Sequence, residues 1–272
     1  MNVDDVDLVR ALTTLTDRSS EYPLIPIGND WSRQYYDGPF HVFEAPRDRP
    51  AISLVFVQSR DGNTGAENPA DLGGGPTDKH LIYEGLSRVA ADGVLAGAGT
   101  VGQSVFFTVH HPELVRLRLE LGLPRHPVQM VMSNEGNVDL SARLFTTPDV
   151  PVVILGGAGC VRKVQPQLHD RPWITLVPID GSLEQTLIGV RRDHGIGRIS
   201  AVGGRHTATA LVDAGLVQDI YLTTSAIDGG EPATPWYTGA HQPPLSVIVR
   251  KRERADCNPI IFEHLAIGAA VV

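Results

Sequence analysis

Cysteine is scarce in this chain. Two thiols, Cys160 and Cys257, among 272 residues form neither a disulfide framework nor a metal-binding cluster, and a reducing, cytoplasmic setting is expected. No apolar run approaches the ~18 residues of a membrane span. The first ten residues hold three aspartates and no apolar core, so no secretory signal is expected there. Basic residues are also short. The 23 Lys and Arg face 31 Asp and Glu, a net charge of −8, which leaves no footprint for nucleic acid. The patterns H-E-x-x-H, G-x-S-x-G and the P-loop are all missing. His110 and His111 are adjacent and would face opposite sides of a strand, so no metal site is expected. No internal repeat or low-complexity stretch occurs.

What the chain does have is a 42% apolar fraction against 20% charged, enough for a proper core, and 28 glycines. The most informative stretch is Val94-Leu95-Ala96-Gly97-Ala98-Gly99-Thr100-Val101. It reads as a buried strand ending in a turn almost free of side chains. Ile199-Ser200-Ala201-Val202-Gly203-Gly204-Arg205-His206-Thr207 repeats the design. Two such exits point to a nucleotide held along the carboxyl ends of a sheet.

The spacing of Leu8, Leu12 and Leu15 predicts an amphipathic helix over 4–17. Residues 18–48, rich in Pro, Gly and aromatics, read as an irregular extension. The chain therefore divides into an extension, 1–48, and one domain, 49–272. Strands are expected at 52–57, 93–96, 128–132, 152–155, 174–177, 199–202 and 220–223, with consecutive strands at 245–251 and 260–263. Helices are expected at 77–91, with Thr77 as N-cap, and at 111–121, 184–194 and 206–214. This alternation predicts an α/β fold: a largely parallel sheet, helices on both faces, and an antiparallel C-terminal edge.

Each candidate site has a plain structural alternative. Gly97-Ala98-Gly99-Thr100-Val101-Gly102 satisfies G-x-G-x-x-G, but a dinucleotide fingerprint must open a long helix. The β-branched and aromatic residues that follow are poor helix formers. Gly156 and Gly157, with Arg162 and Lys163 beyond them, form either a cofactor-phosphate turn or a solvated one. Gly203 and Gly204 precede a helix-forming segment beginning Arg205-His206-Thr207, where free N–H groups make an anion seat. Asp61 is either a proton donor, if its pKa is raised, or the ordinary Asp of an Asp-Gly turn. Arg88 either complements a helix dipole or points a fork of donors at a phosphorylated substrate.

Taken together, Ser59-Arg60-Asp61-Gly62, the block from Leu86 to Val101, and Val202-Gly203-Gly204 leading to 211–220 resemble a known family. It is the dihydrofolate-reductase-like pyrimidine reductases of riboflavin biosynthesis, and the resemblance runs over about 50–263. It implies a dihydrofolate-reductase-like mixed, mostly parallel sheet and a homodimer. It also implies NADPH lying across the strand ends and passing hydride to a ribosylamino-pyrimidine phosphate. By the same resemblance Thr100, Ser104 and Ser133 would touch the cofactor, and 204–210 would seat its pyrophosphate. Arg88 would hold the substrate phosphate, and Thr77 would lie near the family's substrate-binding serine.

Three departures fall on the substrate side. The family's Glu-Gly-Gly is Val202-Gly203-Gly204 here, with Val202 in place of a substrate-binding glutamate. Asn63 stands where a basic residue is usual. Ser104 to His111 lacks Asp-x-Pro-x-Leu-x-x-Arg. The expected function is an NADPH-dependent reductase of a pyrimidine, pteridine or related small heterocycle. Its alternative is a non-catalytic nucleotide-binding homologue. A true Rossmann dehydrogenase, the third reading, predicts a helix from about residue 102.

Overall fold

A computed structural model describes residues 8–66 and 69–268. The chain enters through β1 (Leu12–Asp17), β2 (Leu24–Ile27), α1 (Asp30–Tyr36) and β3 (Phe40–Phe43). Next come β4 (Ala51–Gln58), a π-helical segment (Thr77–Leu86) continued by α2 (Ser87–Val89), and β5 (Gly93–Gly97). Then follow α3 (Pro112–Glu120), β6 (Val128–Ser133), β7 (Val152–Gly156), α4 (Ala158–Val164) and β8 (Ile174–Pro178). The chain closes with α5 (Leu183–His194), β9 (Arg198–Ala201), α6 (Arg205–Asp213), β10 (Val217–Thr224), β11 (Leu245–Glu253) and β12 (Ile261–Ile267).

One ten-stranded sheet has the order β1-β11-β12-β10-β4-β9-β5-β6-β7-β8. From β10 to β8 all neighbours are parallel, while β12, β11 and β1 add an antiparallel edge. The central strands are apolar on both faces, as a parallel sheet under helices requires. Alternation sorts them. Leu54, Phe56, Leu95 and Met130 pack with Leu187 of α5 and Leu211 of α6. Val55, Val94, Ala96 and Val131 pack with Leu81, Leu86 and, from α3, Leu114 and Leu117. Helices thus cover both faces, and the mixed α/β architecture read from the sequence is the one observed.

The N-terminal expectation is corrected. Residues 12–17 form a strand, antiparallel to β11, and residues 1–7 lie outside the described residues. Thr13, Thr14 and Thr16 are β-branched and favour extended backbone over helix. Leu12 is buried and Leu15 faces out, so the leucine spacing was coincidental. Residues 18–48 also carry regular structure. β2 and β3 pair as a separate two-stranded sheet, and a capping box closes α1. In that box Asn29 Oδ1 accepts from the Ser32 N–H, and Ser32 Oγ accepts from the Asn29 N–H.

The helix expected over 77–91 is interrupted. Gly85 leaves helical geometry at φ −112°, ψ −108°, and a methyl group there would fall 2.5 Å from the His80 carbonyl oxygen. Thr77 is not the N-cap; Pro76 holds that position.

Candidate active site

The exits of β5 and β9 lie side by side. The Gly97 N–H donates to the Gly203 carbonyl at 3.2 Å. Gly203 (φ 155°) and Gly204 (φ 88°) occupy backbone conformations that side chains resist. A methyl group on Gly97 would fall 2.6 Å from Thr207 Oγ1, and one on Gly203 would fall 3.0 Å from Thr100 Cγ2. The glycines therefore let two strand exits and a helix start close on one another, with the Thr100 and Thr207 hydroxyls beside Gly204.

Gly204 caps α6 without a side chain, and the Ala208 N–H takes its carbonyl at 2.9 Å. The N–H groups of Arg205, His206 and Thr207 therefore have no intrahelical acceptor. Together with the dipole of a nine-residue helix, they favour an anion in this cradle. A nucleotide pyrophosphate fits that donor set. After Gly97, Ala98–Thr100 make a single 3-10 turn and 101–110 contain no helix, which removes the Rossmann reading. Gly99, Thr100 and Ser104 are exposed.

The other glycine pair is packed differently. A methyl group on Gly157 would meet Asn134 Cα at 3.0 Å. The Gly157 N–H donates to the Ser133 carbonyl (3.1 Å) and the Cys160 N–H to the Asn134 carbonyl (2.9 Å). Gly156 and Gly157 thus fit the chain against its own 133–136 turn, where Ser133 Oγ accepts from the Gly136 N–H at 3.0 Å. Lys163 donates to Asn137 Oδ1 at 3.0 Å.

Three substrate-side expectations change. Thr77 is 1% exposed; its hydroxyl donates to Glu253 Oε1 (2.6 Å) and accepts from the Arg10 N–H (3.0 Å), which binds it into the fold. Arg88 is 2% exposed. Its guanidinium lies over the Tyr83 ring at 4.7 Å, and Nη1 donates to the Thr108 carbonyl at 3.0 Å. It acts beneath the site, because Tyr83 in turn donates its hydroxyl to the Val202 carbonyl at 3.4 Å. The Val202 side chain is buried in the core.

Asp61 lacks the raised pKa that a proton donor needs. Its exposed carboxylate accepts from Ser59 Oγ (2.6 Å), Asn63 Nδ2 (2.8 Å) and the Gly229 N–H (3.3 Å). The Ser59 hydroxyl leads in holding its pKa below the ordinary value. The group is a pin between the β4 and β10 exits.

Asp78 is a buried acid that the sequence reading did not single out. It is 6% exposed, and burial, with Glu84 nearby, pushes its pKa up to about 6 against the opposing Thr223 hydroxyl. A methyl group on Gly74 would fall 2.9 Å from Asp78 Oδ2 and 3.0 Å from Val57 Cγ2, so the carboxyl sits at the end of β4. Val57 is paired in register with Thr223. In sequence, an Asp in a helix's first turn signals only dipole complementarity.

Cations gather on the segment after β5. Arg125 Nη1 donates to Thr108 Oγ1 at 2.8 Å, and His126 Nδ1 lies 2.9 Å from the same hydroxyl. The Arg143 guanidinium stands 5.1 Å above the Phe106 ring. Burial first, then Arg88, Arg125, Lys79 and Arg143, push the His110 pKa down to about 4. These cations come from separate stretches, so no motif announces them.

Residues 50–258 match the family described as RibD C-terminal domain. A search of curated proteins finds no sequence match. Among solved structures, a pyrimidine reductase-like protein from Corynebacterium diphtheriae aligns with TM-score 0.60 at 18% identity, over 82% of this chain and 93% of that one. RibD from Acinetobacter baumannii aligns with TM-score 0.62 at 16% identity, over 81% of this chain and 58% of that one. A Thermotoga maritima diaminohydroxyphosphoribosylaminopyrimidine deaminase/5-amino-6-(5-phosphoribosylamino)uracil reductase gives 0.57 at 18%, over 80% and 57%. At these identities the likeness is one of fold, and this chain spans somewhat over half the length of the last two.

Proposed function

The chain belongs to the RibD C-terminal domain family, and we propose that it is a nicotinamide-dependent reductase of a small pyrimidine, pteridine or related heterocycle. The observation that carries this reading is the glycine-lined cradle where the β5 and β9 exits meet the start of α6, with the Thr100 and Thr207 hydroxyls beside its uncommitted N–H groups. Gly97, Gly203 and Gly204 let the Thr100 and Thr207 hydroxyls close on the main chain, and Gly99 leaves open main chain for a dinucleotide to approach. Thr100, Arg205, His206 and Thr207 supply donors to its pyrophosphate. Ser104 and Ser133 flank its length. The resemblance implies NADPH; either reduced nicotinamide would deliver hydride.

The remaining chemistry belongs to this chain's side chains. Asp78 holds a proton in a dry corner at the end of β4, and its pKa of about 6 keeps a protonated fraction near neutrality. Tyr83, fixed by Arg88, supports the Val202 carbonyl under the site. Arg125 and Arg143 provide the positive field for an anionic substituent, ribosyl phosphate included, in place of the walled-in Arg88. Val202 removes an acidic contact, which favours a substrate differing from the riboflavin intermediate. A homodimer is the expected assembly.

Fluorescence titration with reduced nicotinamide dinucleotides, followed by a hydride-transfer assay over a panel of heterocycles, tests the proposal. Binding with turnover supports it. Tight binding without turnover of any heterocycle supports the non-catalytic homologue instead. Absence of binding refutes both.

A further inference from the structure

If a pyrophosphate sits at the start of α6, sheet geometry fixes where the rest of the dinucleotide lies. The nicotinamide must reach the Asp78 corner at β4 and β10, so the adenosine half runs the other way, across β5 towards β6. Neighbouring strands lie about 4.8 Å apart, so β6 is roughly 10 Å from β9, within reach of the adenosine ribose. The ribose 2′ position therefore falls over the exit of β6, residues 133–136.

Several donors at that exit are already committed. The Gly157, Cys160 and Val161 N–H groups are already given to the carbonyls of Ser133, Asn134 and Gly157. The Lys163 ammonium is engaged by Asn137, and the exposed Arg162 on the same helix is the cation whose attraction for a 2′-phosphate an acidic neighbour must outweigh. The Glu135 carboxylate is folded back over this turn. A methyl group on Gly159 would fall 2.9 Å from its Oε2 and 3.3 Å from its Cα, so the glycine makes room for it. A carboxylate at a strand exit accepts from ribose hydroxyls and repels a 2′-phosphate, as the acid of other dinucleotide sites does.

We propose that Glu135 selects the unphosphorylated dinucleotide, so that this chain uses NADH in preference to NADPH. The proposal rests on the nicotinamide reading above and departs from the NADPH implied by family resemblance. Glu135 is a specificity residue. It touches the far end of the cofactor and takes no part in hydride transfer.

Fluorescence titration of the full chain with NADH and with NADPH at low salt measures the choice without any substrate. A carboxylate about 5 Å from a dianionic phosphate predicts NADH tighter by about tenfold. Raising the salt to about 0.5 M should narrow the gap. Glu135→Gln should bring the two affinities within about threefold, and Glu135→Arg should reverse their order. Glu135 is exposed, so both variants should match the wild type in urea unfolding. NADPH binding as tightly as NADH overturns the proposal, as does a ratio that Glu135→Gln leaves unchanged. If neither dinucleotide binds, the nicotinamide reading itself fails, a result distinct from a wrong preference.

Discussion

Replacing Asp78 with Asn separates its role in the reaction from its effect on stability, because the two should move in opposite directions. Shifting a carboxyl from 3.8 to about 6 costs its ionised form about 3 kcal/mol in the folded state. The sign follows from which state holds the proton. Below pH 3.8 both folded and unfolded chains keep it. As the pH rises from there towards about 6, the unfolded chain releases the proton while the folded chain retains it, so the stability contribution is progressively lost. Above about 6 the folded chain carries a buried carboxylate and the deficit stays constant. The neutral amide of the Asp78→Asn variant carries no such penalty. Urea unfolding of both proteins from pH 4.5 to 8 should show the variant gaining on the wild type by about 2 kcal/mol, the first ~1 kcal/mol of the penalty being already present at pH 4.5. Turnover should meanwhile fall by roughly 10²-fold or more with dinucleotide affinity unchanged. Wild-type turnover should decline as the pH rises above about 6, as expected of a reaction needing the protonated acid. Parallel stability profiles for the two proteins would refute the buried-carboxylate reasoning. Undiminished turnover in the variant would refute the proton role.

Gly203→Ala should weaken dinucleotide binding at least tenfold, seen by fluorescence titration, and cost about 1–2 kcal/mol, because φ 155° is glycine territory and the added methyl meets Thr100. Arg118 is fully buried and donates to the carbonyls of Arg88, Val89, Ala91 and Pro124. Arg118→Ala strands those acceptors and should cost about 3–5 kcal/mol in urea unfolding. Burial lowers the Lys251 pKa to about 8, so the wild type should gain stability relative to Lys251→Met as the pH rises above about 8, a trend read by thermal melts in matched buffers.

The central strands were legible because they are mostly apolar, and β5 and β7 end in glycine; the expected strand at 152–155 differs from β7 by a single residue. β1 was not legible, since Leu8, Leu12 and Leu15 imitate a helical face while the threonines between them favour a strand. α1 was within reach, because the Asn29-x-x-Ser32 box is a local signal. The glycine exits of β5 and β9 could be read because they depend on backbone geometry written in consecutive residues. The packing of the residues proposed for the substrate could not. Thr77 and Arg88 carry reactive-looking groups, and only packing shows that both are buried. Asp78 differs from an ordinary first-turn aspartate only in what covers it. The cations around Thr108 are scattered from Lys79 to Arg143 and meet only once the chain has folded.

The pairing of β1 with β11 has a practical consequence. A shortened version beginning at residue 49 would look complete by family match, yet it would leave the long strand Leu245–Glu253 bare along one side. Lys251 would lose Thr14 and the Asp37 carbonyl as acceptors, and Phe262 would lose the aromatic cover of Tyr36. Such an open ladder recruits strands from other molecules. Clumping of the trimmed product would therefore report a missing outer strand and carry no information about native assembly.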